Sequence, residues 1–193
     1  MHIALFGASF DPPHAAHKKI VEQLLEQHLV DQVWLVPVKD HPFGKTLSDE
    51  KHRLAMVKLL EEAIDKPTKT RIEEYELHQD LPSYSFQTLT VLSAKYPEDT
   101  FSWVIGTDNL AHFHEWHEAQ KLLEKFTVYV YPREGSDHES LLPGMKLIMN
   151  VPEVTVSSTD IRKKVLDGNS IAGLVEPSIA KYIKENGLYA AKP

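Results

Sequence analysis

Apolar residues along the chain fall into two alternating patterns. Residues 3–6, 32–38, 101–105 and 126–131 are short, nearly unbroken apolar or β-rich runs, as expected of strands buried on both faces. Between them, apolar residues return at helical spacing: Ile20, Val21, Leu24 and Leu25 within residues 15–28, then Leu54, Val57, Leu60 and Ile64. Ser48 is the expected N-cap of that second helix, with Asp49 and Glu50 in its first turn. The pattern predicts further strands over residues 70–75 and 146–149. It predicts further helices over 83–96, 115–125, 158–167 and 177–186, the last two followed by Gly168 and Gly187. No internal repeat, low-complexity tract or linker interrupts the series.

Alternation of this kind implies an α/β fold, a parallel sheet with helices on both faces. The 193 residues suit a single domain, 1–193. In such sheets ligands bind beyond the carboxyl ends of strands, where the strand order reverses. Gly7 and Gly106 each end a predicted strand, so a ligand site is expected beside them.

Composition narrows the choice. The chain has no cysteine, which excludes disulfides, thiolate metal sites and cysteine nucleophiles. The net charge of −7 comes with no long Lys/Arg run, so nucleic acid is not an expected partner. No apolar stretch is long enough to span a bilayer, and the first residues lack the features of a secretory signal. A cytoplasmic protein that does not engage a membrane is expected. His112, His114 and His117 cluster, but their spacing fits no common zinc pattern; they read as surface histidines, and no metal ligands are assigned.

The loop after the first strand runs Gly7-Ala8-Ser9-Phe10-Asp11-Pro12-Pro13-His14-Ala15-Ala16-His17. His14 and His17 are three apart and share a face of the helix that follows. They sit where free backbone amides and the helix dipole favour an anion. A histidine pair at this spacing is also what an ordinary solvated helix face presents. The loop is neither a Walker A nor a GxGxxG element. Near the other end of the chain, Ser157 or Ser158 caps a second helix start, and Arg162 lies one turn in. Its fork can grip an anion, although a capped helix with an exposed arginine is a common arrangement.

Together the two segments resemble the GxxFxPxHxGH and ISSTxIR motifs of the HxGH nucleotidyltransferases, and the form GASFDPPH is most similar to the bacterial nicotinate-nucleotide adenylyltransferases. The resemblance implies a Rossmann-like nucleotidyltransferase fold. It implies catalytic roles for His14, His17 and Arg162. It also implies an ATP site built from Gly7, Ala8, Ser9, Phe10, His14, His17, Gly106, Asp108, Ser158, Thr159 and Arg162. On the acceptor side it points to Ser83, Tyr84 and Thr88 in a PSYTxxTL-like stretch, to Trp116 as a platform for a pyridine ring, and to Arg133 and Lys45.

Two departures from the family pattern stand out. Ala16 occupies the place of the usual glycine between the histidines, and residues 38–45 lack the usual Pro-Pro-His-Lys element. The implied reaction is adenylyl transfer from ATP, carrying Mg²⁺, to nicotinate mononucleotide, giving deamido-NAD and pyrophosphate. Two alternatives stay open: a nicotinamide mononucleotide or other phosphorylated acceptor, and a nucleotide-binding paralogue with little catalysis.

Overall fold

The computed structural model describes residues 1–39, 46–66, 68–80, 83–135, 141–151 and 155–191. Six strands form one parallel sheet: β1 (His2–Ala8), β2 (Gln32–Pro37), β3 (Thr70–Ile72), β4 (Thr100–Gly106), β5 (Thr127–Tyr131) and β6 (Met145–Leu147). Their spatial order is β3-β2-β1-β4-β5-β6. The chain therefore builds outward from β1 to β3, returns to lay β4 beside β1, and builds outward the other way. The order reverses between β1 and β4, which opens a crevice beyond their carboxyl ends.

Alternate residues of each strand enter different apolar clusters, as the strand period of two requires. Ala4 and Phe6 of β1, Val33 and Leu35 of β2, and Val104 of β4 join one cluster. It is closed by α1 (Ala15–Glu26), α2 (Glu50–Ala63), α5 (Ser158–Leu166) and α6 (Pro177–Glu185). Ile3, Leu5, Trp34, Val36, Phe101, Trp103 and Ile105 join the other, under α3 (Ser85–Lys95) and α4 (Ala119–Lys125). Ile3, Ala4, Leu5 and Phe6 are all essentially inaccessible, which explains the unbroken apolar run in the sequence.

Several element boundaries differ from those expected. The N-cap of α2 is Asp49, whose Oδ1 accepts from Lys51 N at 2.9 Å, and not Ser48. Ser48 is occupied elsewhere, donating its N–H to Asp11 and offering its carbonyl to Arg53. Strand β3 stops at Ile72, and a 3-10 helix, Tyr75–His78, begins where the expected strand would have ended. Residues 107–115 form a second 3-10 helix, Thr107–Glu115, and α4 begins only after Glu118, whose left-handed backbone (φ 56°) separates the two. Helix α3 starts at Ser85 with Tyr84 as its cap.

Gly7 shows how closely the crevice wall is built. A Cβ placed there would lie 2.4 Å from Trp103 Cζ2 and 2.8 Å from Cη2, and the Trp103 ring is itself packed in the core. Gly7→Ala is expected to destabilise the fold by about 1–3 kcal/mol through overpacking, read as a lower urea midpoint with unchanged slope; an unchanged midpoint would contradict this packing.

Candidate active site

The first loop leaves β1 and enters α1 through a set of linked contacts. Phe10 takes a left-handed backbone (φ 48°) and is fully buried. Its ring packs against Phe6 at 6.1 Å and against His17 at 5.0 Å. Phe10 therefore supports His17 from below, within the core. His14 is the N-cap of α1, and His17 is the third residue of the helix. Their rings stack at 3.7 Å. His14 N–H donates to His17 Nδ1 at 3.0 Å, and His17 N–H donates to the His14 carbonyl at 2.9 Å. Because Nδ1 of His17 accepts, a neutral His17 carries its proton on Nε2. That leaves Nε2–H as the donor available to a ligand.

Both imidazoles are neutral at physiological pH. Burial, helped by the positive charge of Arg133, pushes His14 down to about 3. Burial also drives His17 well below its usual range, with His14 and Arg133 adding to the shift. His14 Nδ1 is buried without a hydrogen-bond partner among the described residues. Ala16, the departure between the two histidines, packs its methyl against the α1-side core.

The far loop docks directly on the first. Ser157 caps α5, its Oγ accepting from Asp160 N at 3.1 Å. Ser158 Oγ donates to the Pro12 carbonyl at 2.8 Å. Arg162 Nη1 donates to the Asp11 carbonyl at 2.7 Å, and its Nη2 donates to Thr159 Oγ1 at 3.2 Å. The two segments expected to converge are thus in contact. Gly106, Asp108 and Arg133 lie nearby at the ends of β4 and β5. Arg133 Nε is 3.5 Å from Asp108 Oδ2, and Arg133 N–H donates to Thr107 Oγ1 at 2.9 Å. Arg133 thus stands beside Asp108, and its charge reaches both histidines.

On the other side of the crevice lies a cavity of about 330 Å³. Gly7, Ala8 and Ser9 form one wall, and Ser83, Tyr84, Trp116 and His117 form another. The Tyr84 and His117 rings stack at 4.5 Å, and Trp116 leans on Phe113 at 5.2 Å. Thr88 lies beneath this wall, buried, with its Oγ1 donating to Glu76 Oε1 at 2.6 Å. Lys45 lies outside the described residues. A larger, open groove of about 720 Å³ between α2 and the β3 edge is lined by none of the expected site residues.

Two residues assigned no role from the sequence, Asp11 and Arg53, hold the loops of the site together. Asp11, 2% exposed, accepts from Tyr189 Oη at 2.7 Å and from Ser48 N at 3.0 Å. Arg53, equally buried, donates to the carbonyls of Ser9, Val38, Lys39 and Ser48. His117, expected at the surface, is exposed but lines the cavity. A charged residue on the apolar stripe of α2 was the available signal for Arg53. His112 Nδ1 contacts Glu115 at 2.9 Å, and no group of three potential metal ligands occurs among the described residues.

The neutral histidines carry a stability consequence. Both have folded-state values below the unfolded one, so the unfolded chain takes up more protons as pH falls from about 6.5. The fold then loses stability down to the folded value of about 3 for His14, by up to about 1.4 kcal/mol per pH unit for each group. Urea unfolding across this range is expected to show a shallower acid loss in a His14→Gln/His17→Gln variant; equal slopes would contradict the neutral pair.

The comparisons with known proteins agree with this geometry. Residues 5–164 match the cytidylyltransferase-like family. The nicotinate-nucleotide adenylyltransferase of Bacillus subtilis is 33% identical over 189 residues, covering 97% of each chain. A probable nicotinate-nucleotide adenylyltransferase of Exiguobacterium sibiricum is 36% identical over 193 residues, 98% of this chain and 100% of that one. Among solved structures, Plasmodium falciparum nicotinic acid mononucleotide adenylyltransferase complexed with NaAD matches with a TM-score of 0.86 over 97% of each chain, at 23% identity, a likeness of fold. No helix among the described residues is long and apolar enough to cross a membrane. The match over most of the chain and the full-length relatives place it in the nicotinate-nucleotide adenylyltransferase family, among the cytidylyltransferase-like nucleotidyltransferases.

Proposed function

We propose that the chain, acting as one nucleotidyltransferase unit in the cytoplasm, transfers the adenylyl group of ATP to nicotinate mononucleotide. The observation that carries this reading is the docking of the Ser158–Arg162 segment on the His14–His17 loop, beside the aromatic cavity at the β1/β4 switch point. The names of the curated relatives support the same acceptor.

In this scheme a phosphate oxygen of the mononucleotide attacks the α-phosphorus of ATP. The bond to the β-phosphate oxygen breaks, and pyrophosphate leaves with the electron pair. The attacking phosphate is already anionic, so the protein needs no general base. Its task is to orient the partners and to stabilise charge on the phosphates. His17 Nε2–H, held by the His14 contact, donates to a phosphate oxygen. Arg162 lies across the loop, fixed by Asp11 and Thr159, and its cation offsets the triphosphate charge. Mg²⁺ enters with ATP as part of the substrate and supplies Lewis-acid polarisation of the phosphates. Trp116 offers its face to the pyridine ring.

The test is pyrophosphate release from Mg²⁺-ATP with nicotinate or nicotinamide mononucleotide as the acceptor. Strong release with the nicotinate form is expected. Strong release only with the other acceptor, or none with either, would overturn the reading. His17→Ala is expected to lower kcat by about 10²–10³ with little change in mononucleotide affinity; equal loss in both would contradict its role toward the phosphates.

A further inference from the structure

Glu76 has no part in the scheme above. It lies in the 3-10 helix Tyr75–His78, is 1% exposed, and lines the acceptor cavity. Thr88 holds its Oε1. Its Oε2 is buried without a hydrogen-bond partner among the described residues, and so is Oγ of Ser83 in the same lining. Glu76 Oε2 and Ser83 Oγ therefore sit together, near enough for the hydroxyl to pull on the carboxyl but without good hydrogen-bond geometry, at a site that also presents the Tyr84, Trp103 and Trp116 rings. Leaving them unpaired costs free energy unless a ligand or water completes them.

The charges around this group matter. The described lining contains no lysine or arginine. Its titratable groups are Glu76, Tyr84, Glu115 and His117. Glu115 is exposed and paired with His112. From the β2 side, the Lys39 ammonium is held by the Gln79 carbonyl at 2.7 Å and lies 3.9 Å from Asp80. Burial pushes the Glu76 carboxyl up, outweighing the smaller opposite pulls of Thr88 and Ser83. A ligand carboxylate brought beside an ionised Glu76 would meet a like charge in surroundings that screen it poorly.

We propose that Glu76 determines which ring substituent the acceptor cavity admits. With a proton on Oε2 it admits a carboxylate, meeting it as a donor together with Ser83 Oγ; without that proton it admits only a neutral substituent such as a carboxamide. This inference rests on the acceptor reading given under the proposed function, and it adds a selection set by the Glu76 proton.

The test is binding of nicotinate and nicotinamide mononucleotides, followed by tryptophan fluorescence, from about pH 5 to about pH 9. Both ligands carry the same phosphate, so the ratio of the two Kd values isolates the ring substituent. The wild-type preference for the nicotinate form should fall about tenfold per pH unit once Glu76 ionises, since one proton is linked to binding. Glu76→Gln keeps an acceptor for Thr88 and a donor toward the cavity, and its ratio should stay flat. A flat wild-type ratio, or the same slope in Glu76→Gln, overturns the role of Glu76 and leaves the acceptor reading standing. Failure of both mononucleotides to bind overturns the two together. If Glu76→Gln does not fold, His117→Gln decides: its ratio should keep the wild-type slope, and a flat ratio there overturns the role of Glu76.

Discussion

The buried carboxylate of Asp11 lies where three distant parts of the chain meet, and the candidate site depends on that crossing. Its two oxygens hold Tyr189 from the C-terminal segment and the backbone of Ser48 before α2, while its carbonyl takes Arg162 from α5. A buried carboxylate left with fewer partners would cost several kcal/mol, so the three segments are held as a set. Arg53 does the complementary work, bringing four carbonyls of the neighbouring turns to one guanidinium. Between them these two buried charged residues fix a loop that has little regular hydrogen bonding of its own.

That scaffold explains the electrostatic character of the site. His17 packs on the Phe6 and Phe10 rings with His14 stacked on it, and burial keeps both uncharged. In the proposed reaction they act first as oriented hydrogen-bond donors, while permanent positive charge comes from Arg162 and from Arg133 beside Asp108. An arriving triphosphate would reverse the balance that holds the imidazoles neutral. Their donors are then already aimed when negative charge builds up, which is the physical meaning of preorganisation. The neighbouring cavity is lined differently, by the Tyr84, Trp103 and Trp116 rings among polar residues and by no described lysine or arginine, so in the proposed reaction selection there turns on hydrogen bonding and on the state of one carboxyl.

Much of this was legible in the sequence. The strands could be read because residues buried on both faces leave unbroken apolar runs, and the paired glycines marked the ends that face the crevice. His14, His17, Ser158 and Arg162 stood out because their two segments together resemble the motifs of one family; each helix start alone is an ordinary arrangement. Other features were not. A 3-10 helix and an α-helix share nearly the same short-range pattern, so Thr107–Glu115 read as the approach to a single later helix. Ser48 and Asp49 are both good caps, and only the distant Asp11 decides between them. Tyr189 lies 178 residues from its partner, a contact that no local pattern encodes. Glu76 was hidden in a charged run, where its burial could not be seen, and Arg53 looked like a polar interruption of an apolar stripe.

The identity of the attacked phosphorus distinguishes adenylyl transfer from every other use of ATP. ATP labelled at the α-phosphorus, supplied as its Mg²⁺ complex with nicotinate mononucleotide, separates the possibilities in a single incubation. The account predicts that the label moves into a dinucleotide product while unlabelled pyrophosphate is released. Label that remains in ATP, or that emerges as AMP or ADP with no dinucleotide formed, would contradict it.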